Sequence, residues 1–377
     1  MSELFLPSNV FNVNKTDYER TPIIFGQKIG LFDSINKQYP KLHEYFKTQK
    51  SLDWSEDEFD YRSCLVEFEK SSKFDYDLMV KTLAWQWEGD SLASNTIMSV
   101  LDPVLTCSEG RQLYYRIVDN ELLHAATYSE IVRMSFSNPS VIMNEILSVR
   151  ESLQRLNTIG KVMDEAVQFS AWYAYKQLEG PVEVTQEMYN KIFMFFVALL
   201  CFERIQFMSS FAITFAYGDM GRFLPIAKAV QKIAQDEFEI HVQAAMEVIR
   251  NLILTPMGMK AFQENKEKIV ILINEVHASE TAWNEYVFSE GRRLDRINGK
   301  MMQSFSDFSA CSVAQFFGLE NEIKAPLVME NPLHYFGEWV NISKTQYSPQ
   351  EEQGGQYKLN IVRRNDEKKV FEFDLNI

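Results

Sequence analysis

The segment Ile192–Tyr217 reads IFMFFVALLCFERIQFMSSFAITFAY and is apolar on nearly every side of a helix. A helix that is hydrophobic all round is typical of the core of a large protein. Glu203 nevertheless lies near its middle, where an ionised carboxylate is costly unless it is paired or binds a metal. Arg204 follows directly, but adjacent residues point about 100° apart on a helix. Glu203 therefore needs either a cation from another helix or a metal ion.

The rest of the chain predicts further helices around this segment. Its 377 residues include only 15 glycines and 11 prolines, fewer than sandwiches and barrels with many tight turns require. No alternation of apolar and polar residues is long enough to predict a sheet, so we expect an all-α fold. Helical spacing covers roughly 34–49, 57–70, 74–101, 109–135, 139–155, 158–178, 187–217, 222–254, 257–288 and 296–317.

Three regions are expected along the chain. Residues 1–33 carry turn signals and predict an irregular N-terminal arm, and residues 34–341 form the helical domain. Residues 342–377 are polar and charged until the final FEFDLNI, so they cannot bury enough apolar surface to order themselves. We expect a flexible tail, which is either a frayed end or a docking motif for a partner.

Composition also excludes several classes of function. A net charge of −14 disfavours nucleic-acid phosphates as a partner. The four cysteines are scattered without a CxxC motif, which is typical of a reduced intracellular protein. The longest apolar run, residues 192–202, is too short to span a membrane. The N-terminus lacks signal-peptide features, so we expect a cytoplasmic protein without membrane contact.

Two glutamate–histidine pairs occur at helical spacing. Glu121 and His124 are three residues apart, and Glu237 and His241 are four apart. Both spacings place the two side chains on one face of a helix, where they can bind one metal together. One such pair is common by chance and usually lies on a solvated face, but two pairs on separate apolar helices are rarer.

Each pair is preceded by a carboxylate on another apolar helix. Asp90 comes 31 residues before Glu121, and Glu203 comes 34 residues before Glu237. One carboxylate from each of two helices and a Glu/His pair from each of two others form the dinuclear site of ferritin-like bundles. Four carboxylates and two imidazoles suit iron or manganese better than zinc. We therefore expect a ferritin-like bundle, with additional helices, that binds two Fe ions, with Mn possible.

A tyrosine lies on the same helix face as the first pair. Tyr128 is seven residues after Glu121, which is within about 20° of two full helical turns. Three apolar residues across the bundle are positioned to exclude water from its phenol: Phe207, Phe211 and Ile233. Either Tyr128 is a core residue that hydrogen-bonds a carboxylate, or a metal site that reacts with O₂ oxidises it to a radical.

These residues carry a resemblance to a known family. The segments Trp85–Ser91, Glu121–Tyr128, Phe202–Phe211 and Ile233–His241 together resemble the small, radical-generating (β) subunit of class I ribonucleotide reductase. The resemblance covers nearly the whole chain. It implies Tyr128 as the radical carrier and six metal ligands: Asp90, Glu121, His124, Glu203, Glu237 and His241.

The resemblance also implies a radical relay and a partner. Trp54, in LDWSEDEFD, would connect through Asp236 and His124 to the metals. Tyr357 would pass the oxidising equivalent to the large (α) subunit, with Glu351 at the position of a tail carboxylate important for this coupling. The large subunit, which would bind the tail, would then reduce ribonucleotides to deoxyribonucleotides. A homodimer is implied as well.

One departure concerns the second pair. The family usually has E-x-x-H there, and this chain has one residue more. Either the helix carries a π-type bulge, or the ligand is Glu239; because Glu239 and His241 are about 200° apart on a regular helix, we expect Glu237. The alternative function is a ferritin-like dinuclear-metal oxidase or ferroxidase without nucleotide reduction, which would share the ligands but need neither Tyr128 nor Trp54.

Overall fold

A computed structural model describes residues 11–12 and 21–342, and this part of the chain is helical. One isolated bridge joins Ile24 to Leu105, and no strand occurs among the described residues. The predicted all-α class is therefore confirmed. The helices are α1 (Pro40–Ser51), α2 (Arg62–Lys70), α3 (Lys73–Leu101), α4 (Ser108–Ser135), α5 (Pro139–Ile146), α6 (Arg150–Glu179), α7 (Gln186–Cys201), α8 (Met208–Asp219), α9 (Leu224–Asp236), α10 (Val242–Ile253), α11 (Pro256–Val287), α12 (Gly299–Phe317) and α13 (His334–Val340).

Two of the predicted helices each contain a π-helical turn. The turn Phe202–Phe207, here called π1, joins α7 to α8, and the turn Glu237–His241, called π2, joins α9 to α10. The residues at their ends keep right-handed helical backbone angles, so both helices run through without a break. Helices α3 and α4 pack against each other, and α8 and α9 complete a four-helix arrangement with them. The remaining helices pack around this centre.

Some predicted helix boundaries are wrong. The sequence pattern places a break between 155 and 158, but α5 ends at Ile146 and α6 runs unbroken from Arg150 to Glu179. Gly160 lies inside α6, where glycine costs about 1 kcal/mol relative to alanine. Burial of Ile159 and Met163 on the same stretch offsets that cost. Helix α1 also begins at Pro40 rather than at residue 34.

The described part of the N-terminal arm lies on the bundle. Ile23 and Ile24 are buried, and the Thr106 N–H donates to the Ile23 carbonyl at 2.7 Å. The Phe25 N–H donates to the carbonyl of Val104 at 2.8 Å. Residues 343–377, including Glu351, Tyr357 and FEFDLNI, lie outside the described part, so the division at 33 and 341 and the flexible tail remain predictions.

The apolar segment that surrounds Glu203 lies in the protein core. Gln186–Asp219 spans 34 residues and is long and apolar enough to cross a membrane, but its most apolar window is 100% buried in the protein. Its neighbours are other helices of the same chain, chiefly α6, α9, α10, α11 and α12. This burial agrees with the expectation of a core helix. Because Glu203 is shielded from water, only neighbouring groups of the protein or a bound ion can stabilise its charge.

Candidate metal centre

The six predicted ligands converge in the centre of the four-helix arrangement. Asp90 comes from α3, and Glu121 and His124 come from α4. Glu203 lies in π1, while Glu237 and His241 are the two ends of π2. Five of the six are completely inaccessible to solvent, and His241 is 3% exposed.

The six residues form two overlapping groups that could each hold a metal ion. Within each group the potential ligand atoms lie within 4.8 Å of one another. Glu121 and Glu237 belong to both groups. The first group adds Asp90 and His124, and the second adds Glu203 and His241. The order that occurs twice in the sequence thus corresponds to two positions in space, joined by two shared carboxylates.

The shared carboxylates lie between the two imidazoles. Glu237 places Oε1 at 3.1 Å from Nδ1 of His124 and Oε2 at 2.8 Å from Nδ1 of His241. Glu121 does the same less tightly, with Oε2 at 3.8 Å from His124 and Oε1 at 3.1 Å from His241. One oxygen of each carboxylate therefore faces each imidazole, so each carboxylate could contact an ion beside either histidine.

The hydrogen bonding of these atoms tests whether metal ions fit. All eight oxygens of Asp90, Glu121, Glu203 and Glu237 are buried and have no hydrogen-bond partner in directional geometry among the described residues. The Nδ1 atoms of both histidines lie among them and form no directional bond either. Unpaired buried oxygens on this scale are expensive. Two divalent cations would satisfy the lone pairs and balance the four negative charges, so the residues fit a dinuclear metal site.

Burial dominates the protonation of the cluster when no metal is bound. It raises the pKa of Asp90 well above its ordinary value. The nearby His124 lowers this pKa, whereas the Glu121 and Glu237 charges raise it further. Burial and the charge of Glu237 raise the pKa of Glu203 in the same way. Burial by itself lowers the pKa of His241, but the Glu237 and Glu121 carboxylates raise it to about 10. Side chains with raised pKa values carry protons in the metal-free chain, and metal binding releases those protons.

The extra residue of the second pair is accommodated by π2. In a π turn the N–H group of each residue bonds five residues back, so the turn absorbs one more residue than an α-turn. Glu237 and His241 consequently face the same centre, with their side chains 2.8 Å apart. Glu239 is partly exposed and belongs to neither group. Of the two alternatives that the sequence leaves open, the structure has the π-type bulge.

The π1 turn is a feature that sequence reasoning missed. Glu203 stands in it, directly opposite the π2 turn, and the two turns contact each other. Nothing in FERIQF departs from a regular apolar helix pattern, and no companion histidine sets a spacing for Glu203 to violate. A π turn here was therefore invisible to a reading based on helical periodicity.

A second buried network starts at the far side of His124. Its Nε2 atom lies 3.2 Å from Oδ2 of Asp236, and Nε1–H of Trp54 donates to the same oxygen at 2.7 Å. Two amides complete the shell: Asn120 donates to Oδ2 at 2.8 Å and Gln49 donates to Oδ1 at 2.9 Å. The Trp54 and His124 rings are stacked, with centroids 6.1 Å apart.

The sequence analysis names Trp54 and Asp236 for this network but not Gln49 or Asn120. Both amides are buried, at 1% and 2% exposure. Asn120 directly precedes the predicted ligand Glu121 and lies one turn before His124 on α4. That i, i+4 relation to a predicted histidine ligand was the available signal. Gln49 comes from α1, 187 residues from Asp236, and had no signal at all.

Tyr128 lies one turn beyond His124 and is 1% exposed. Its hydroxyl makes no hydrogen bond with the described residues, which disagrees with the alternative of a core tyrosine bonded to a carboxylate. Burial raises the pKa of Tyr128 well above its ordinary value, and the charges of Asp90 and Glu237 add to this. The phenol is therefore held neutral in a dry site close to the cluster.

The three apolar residues expected near Tyr128, which are Phe207, Phe211 and Ile233, are completely buried. The Phe207 ring stacks on Phe211 with centroids 5.7 Å apart. Gly89, next to Asp90, lets the Phe207 ring approach α3 closely, because a Cβ atom there would lie 3.0 Å from Cζ of Phe207. That these three residues exclude water from the Tyr128 phenol remains a prediction.

Comparison with known proteins gives one consistent result. The family described as "Ribonucleotide reductase, small chain" matches residues 32–332. Among curated relatives, the ribonucleoside-diphosphate reductase subunit beta of Enterobacteria phage T4 is 24% identical over 383 residues, covering 96% of this chain and 98% of its own. The corresponding subunit of Buchnera aphidicola (subsp. Baizongia pistaciae) is 21% identical and covers 90% and 92%.

Solved structures show the same fold. The ribonucleotide reductase R2 subunit from Clostridium botulinum superimposes with a TM-score of 0.74 at 16% identity, covering 88% of this chain and 98% of its own. The dimanganese(II)-NrdF protein of Streptococcus sanguinis gives a TM-score of 0.64 at 14% identity, covering 82% and 98%. These similarities confirm the predicted ferritin-like bundle with additional helices.

Proposed function

Because the chain belongs to the ribonucleotide reductase small-chain family, we propose that its buried cluster holds the metal centre that generates the radical for nucleotide reduction. The chain is the small subunit of this enzyme and acts with a large subunit that binds the ribonucleotide. Its curated relatives are named as ribonucleoside-diphosphate reductases, so we assign the diphosphate enzyme.

The proposed ligands divide into bridging and terminal groups. Glu121 and Glu237 would bridge two ions, with Asp90 and His124 completing one position and Glu203 and His241 the other. The donor set suits iron, and manganese fits the same oxygens and nitrogens. When bound, two redox-active ions would supply two of the four electrons that reduce O₂ to water; Tyr128 would supply one electron with its proton, and an external reductant such as excess ferrous iron would supply the fourth.

The remaining residues would keep and conduct the radical. The Tyr128 oxygen is buried and has no hydrogen-bond partner within the described ranges, and Phe207, Phe211 and Ile233 would exclude water from it. The Nε2–H group of His124 would donate to the Asp236 carboxylate. The same carboxylate also accepts a hydrogen bond from Trp54. In this proposal Trp54 receives and passes the oxidising equivalent, and Tyr357 in the tail delivers it to the large subunit.

The assembly follows from the same assignment. The tail, residues 342–377, would dock on the large subunit through its apolar-acidic end, with Glu351 supporting transfer at Tyr357. The small subunit would form a homodimer and work in the cytoplasm, where its nucleotide substrates are found. Neither nucleic acid nor a membrane has a role in this function.

The contact from His124 through Asp236 to Trp54 is the observation that carries the proposal. A ferritin-like oxidase or ferroxidase would use the same six ligands, but it would need no tryptophan bonded to the outer partner of a ligating histidine. A Trp54 Nε1 to Asp236 distance of 2.7 Å and the stacked Trp54 and His124 rings suit transfer of an oxidising equivalent out of the centre.

The test is electron paramagnetic resonance after ferrous iron and air are added to the metal-free chain. We expect a tyrosyl radical signal in the native protein and none in Tyr128→Phe, which keeps the ring and removes only the oxidisable hydroxyl. Both proteins should take up two ions and consume O₂. Iron uptake and O₂ consumption without any tyrosyl signal in the native chain would favour the oxidase alternative.

A further inference from the structure

A buried ion pair lies behind the Glu203 side of the metal centre. Arg155 of α6 and Glu280 of α11 are 1% and 0% exposed. Arg155 donates from Nε to Glu280 Oε1 at 2.6 Å and from Nη2 to Oε2 at 2.7 Å. Buried ion pairs of this kind are often no more stabilising than apolar residues of similar volume. The position of this pair indicates a role other than general stability.

Arg155 also binds the π1 turn through a reciprocal contact. Its Nη2 donates to the main-chain carbonyl of Gln206 at 2.7 Å, and the Gln206 side chain donates back to the main-chain carbonyl of Arg155 at 3.2 Å. Gln206 lies in π1, three residues after Glu203. A π turn shifts its carbonyls out of the regular i to i+4 ladder, so an external donor stabilises this turn directly.

The guanidinium completes the contact with aromatic rings. It lies 3.7 Å from the centroid of Trp85 and 5.0 Å from that of Trp283. Trp85 belongs to α3 and packs on Phe202 and Phe207, the first and last residues of π1. Arg155 is therefore joined to π1 through a hydrogen bond and through Trp85, from two directions.

We propose that Arg155, oriented by Glu280, is a positioning residue that holds the π1 turn and thereby places the Glu203 carboxylate at the second metal position. The inference rests on the proposed metal centre. It adds that only one of the two metal positions, the one with Glu203, depends on the Arg155 contact. The first position takes its own two ligands, Asp90 and His124, from the regular helices α3 and α4, and none of its ligands lies in π1. Loss of the Arg155 contact should therefore weaken one metal position and spare the other.

The decisive variant replaces the whole pair by apolar residues, as Arg155→Met with Glu280→Leu. This change leaves no unpaired buried charge but removes the donor to Gln206. The matched control is Arg222→Met with Asp75→Leu, which removes a partly buried pair at the far end of α3. Native chain, variant and control are loaded with Mn²⁺, and bound metal, thermal midpoint and the electron paramagnetic resonance spectrum are measured.

We expect the native chain and the control to bind two ions per chain, with the spectrum of a magnetically coupled pair. The Arg155 variant should bind one ion tightly and the other about 10–100-fold more weakly, as is usual when an outer-shell partner is lost. Its spectrum should be the hyperfine pattern of an isolated Mn²⁺ ion. A thermal midpoint within the range of the control would separate positioning from general stability.

Amide hydrogen exchange of the metal-free chain gives an independent readout. Exchange across residues 202–207 should be faster in the Arg155 variant than in the native chain, while α4 should be unchanged. Arg155→Lys provides a second variant in case the double one does not fold. Lysine keeps the charge beside Glu280 but lacks the planar fork that reaches two acceptors, so the same selective loss is expected at smaller size.

Two outcomes are distinguishable. A native chain that binds no second ion overturns the proposed metal centre itself. A native chain with two ions, together with variants that bind two ions at native affinity and exchange π1 amides at the native rate, overturns the positioning role of Arg155 and leaves the metal centre standing.

Discussion

The two halves of the candidate metal centre share their bridging carboxylates but are built differently. Asp90 and His124 project from the uninterrupted helices α3 and α4, and His124 continues through Asp236 to Trp54. Glu203 and His241 stand in π turns, and Nε2 of His241 is buried without a hydrogen-bond partner in the described part of the chain. The halves are therefore not equivalent: one connects the centre to the protein surface, and the other is formed by widened helical turns.

The largest effect is expected where the halves overlap. Glu237→Ala removes an oxygen from both positions, so bound metal should fall from two ions per chain to fewer than one. Glu239→Ala, on the same π2 turn but outside both groups, is the matched control and should retain two ions. Metal analysis after gel filtration measures both. Greater loss in Glu239→Ala would mean that the ligand is Glu239 and that the shared position is misassigned.

A smaller and one-sided effect is expected from the terminal carboxylates. Asp90→Ala should empty the His124 position, and Glu203→Ala should empty the His241 position, so each variant keeps about one ion. Burial raises the pKa of both acids, because the protein interior disfavours their charged forms. We expect the thermal midpoint of each metal-free variant to stay close to that of the metal-free native chain. Loss of both ions in either variant would contradict independent halves.

The contact from His124 through Asp236 to Trp54, which only the first half has, can be removed without changing a proposed metal ligand. Trp54→Phe removes the Nε1 donor to Asp236 and the oxidisable indole but keeps an aromatic ring. Two ions and the Tyr128 radical should remain, while nucleotide reduction with the large subunit should fall by orders of magnitude. Trp172→Phe, on the exposed surface of α6, is the control and should turn over normally. Normal turnover in Trp54→Phe would place the route elsewhere.

The first half of the centre could be predicted from sequence because its geometry is regular. On an uninterrupted helix, the Glu121 and His124 spacing converts directly into a shared face. The second half could be predicted only as two alternatives, since the extra residue before His241 required either a bulge or Glu239. Sequence periodicity assumes a constant turn, and π2 is the local exception.

Long-range partners were beyond sequence reasoning for a different reason. Arg155 and Glu280 are separated by 125 residues, and Arg155 and Gln206 by 51. A single arginine in an amphipathic helix is normally a solvated residue, so its burial follows from tertiary packing and not from local pattern. The same applies to Gln49 beside Asp236. The resemblance supplied Trp54, which composition and spacing alone would have left as a packed side chain.

The smallest effect concerns the Tyr128 phenol, which lies near Asp90, Glu121 and Glu237. Tyr128→Phe removes a buried hydroxyl that has no hydrogen-bond partner among the described residues. The metal-free variant should be as stable as the native chain, or more stable by up to about 1 kcal/mol. Urea unfolding of the metal-free proteins measures this. A clear loss of stability would show that the hydroxyl makes a bond, and the dry and isolated site would then be wrong.

The central claim is that two ions share Glu121 and Glu237, and anomalous X-ray diffraction from metal-loaded crystals tests it most directly. We expect two peaks about 3.5–4 Å apart. One should lie against Asp90 and His124, the other against Glu203 and His241, and both should contact the two shared carboxylates. A single peak, or a second peak held by Glu239 in place of Glu237, would contradict this account.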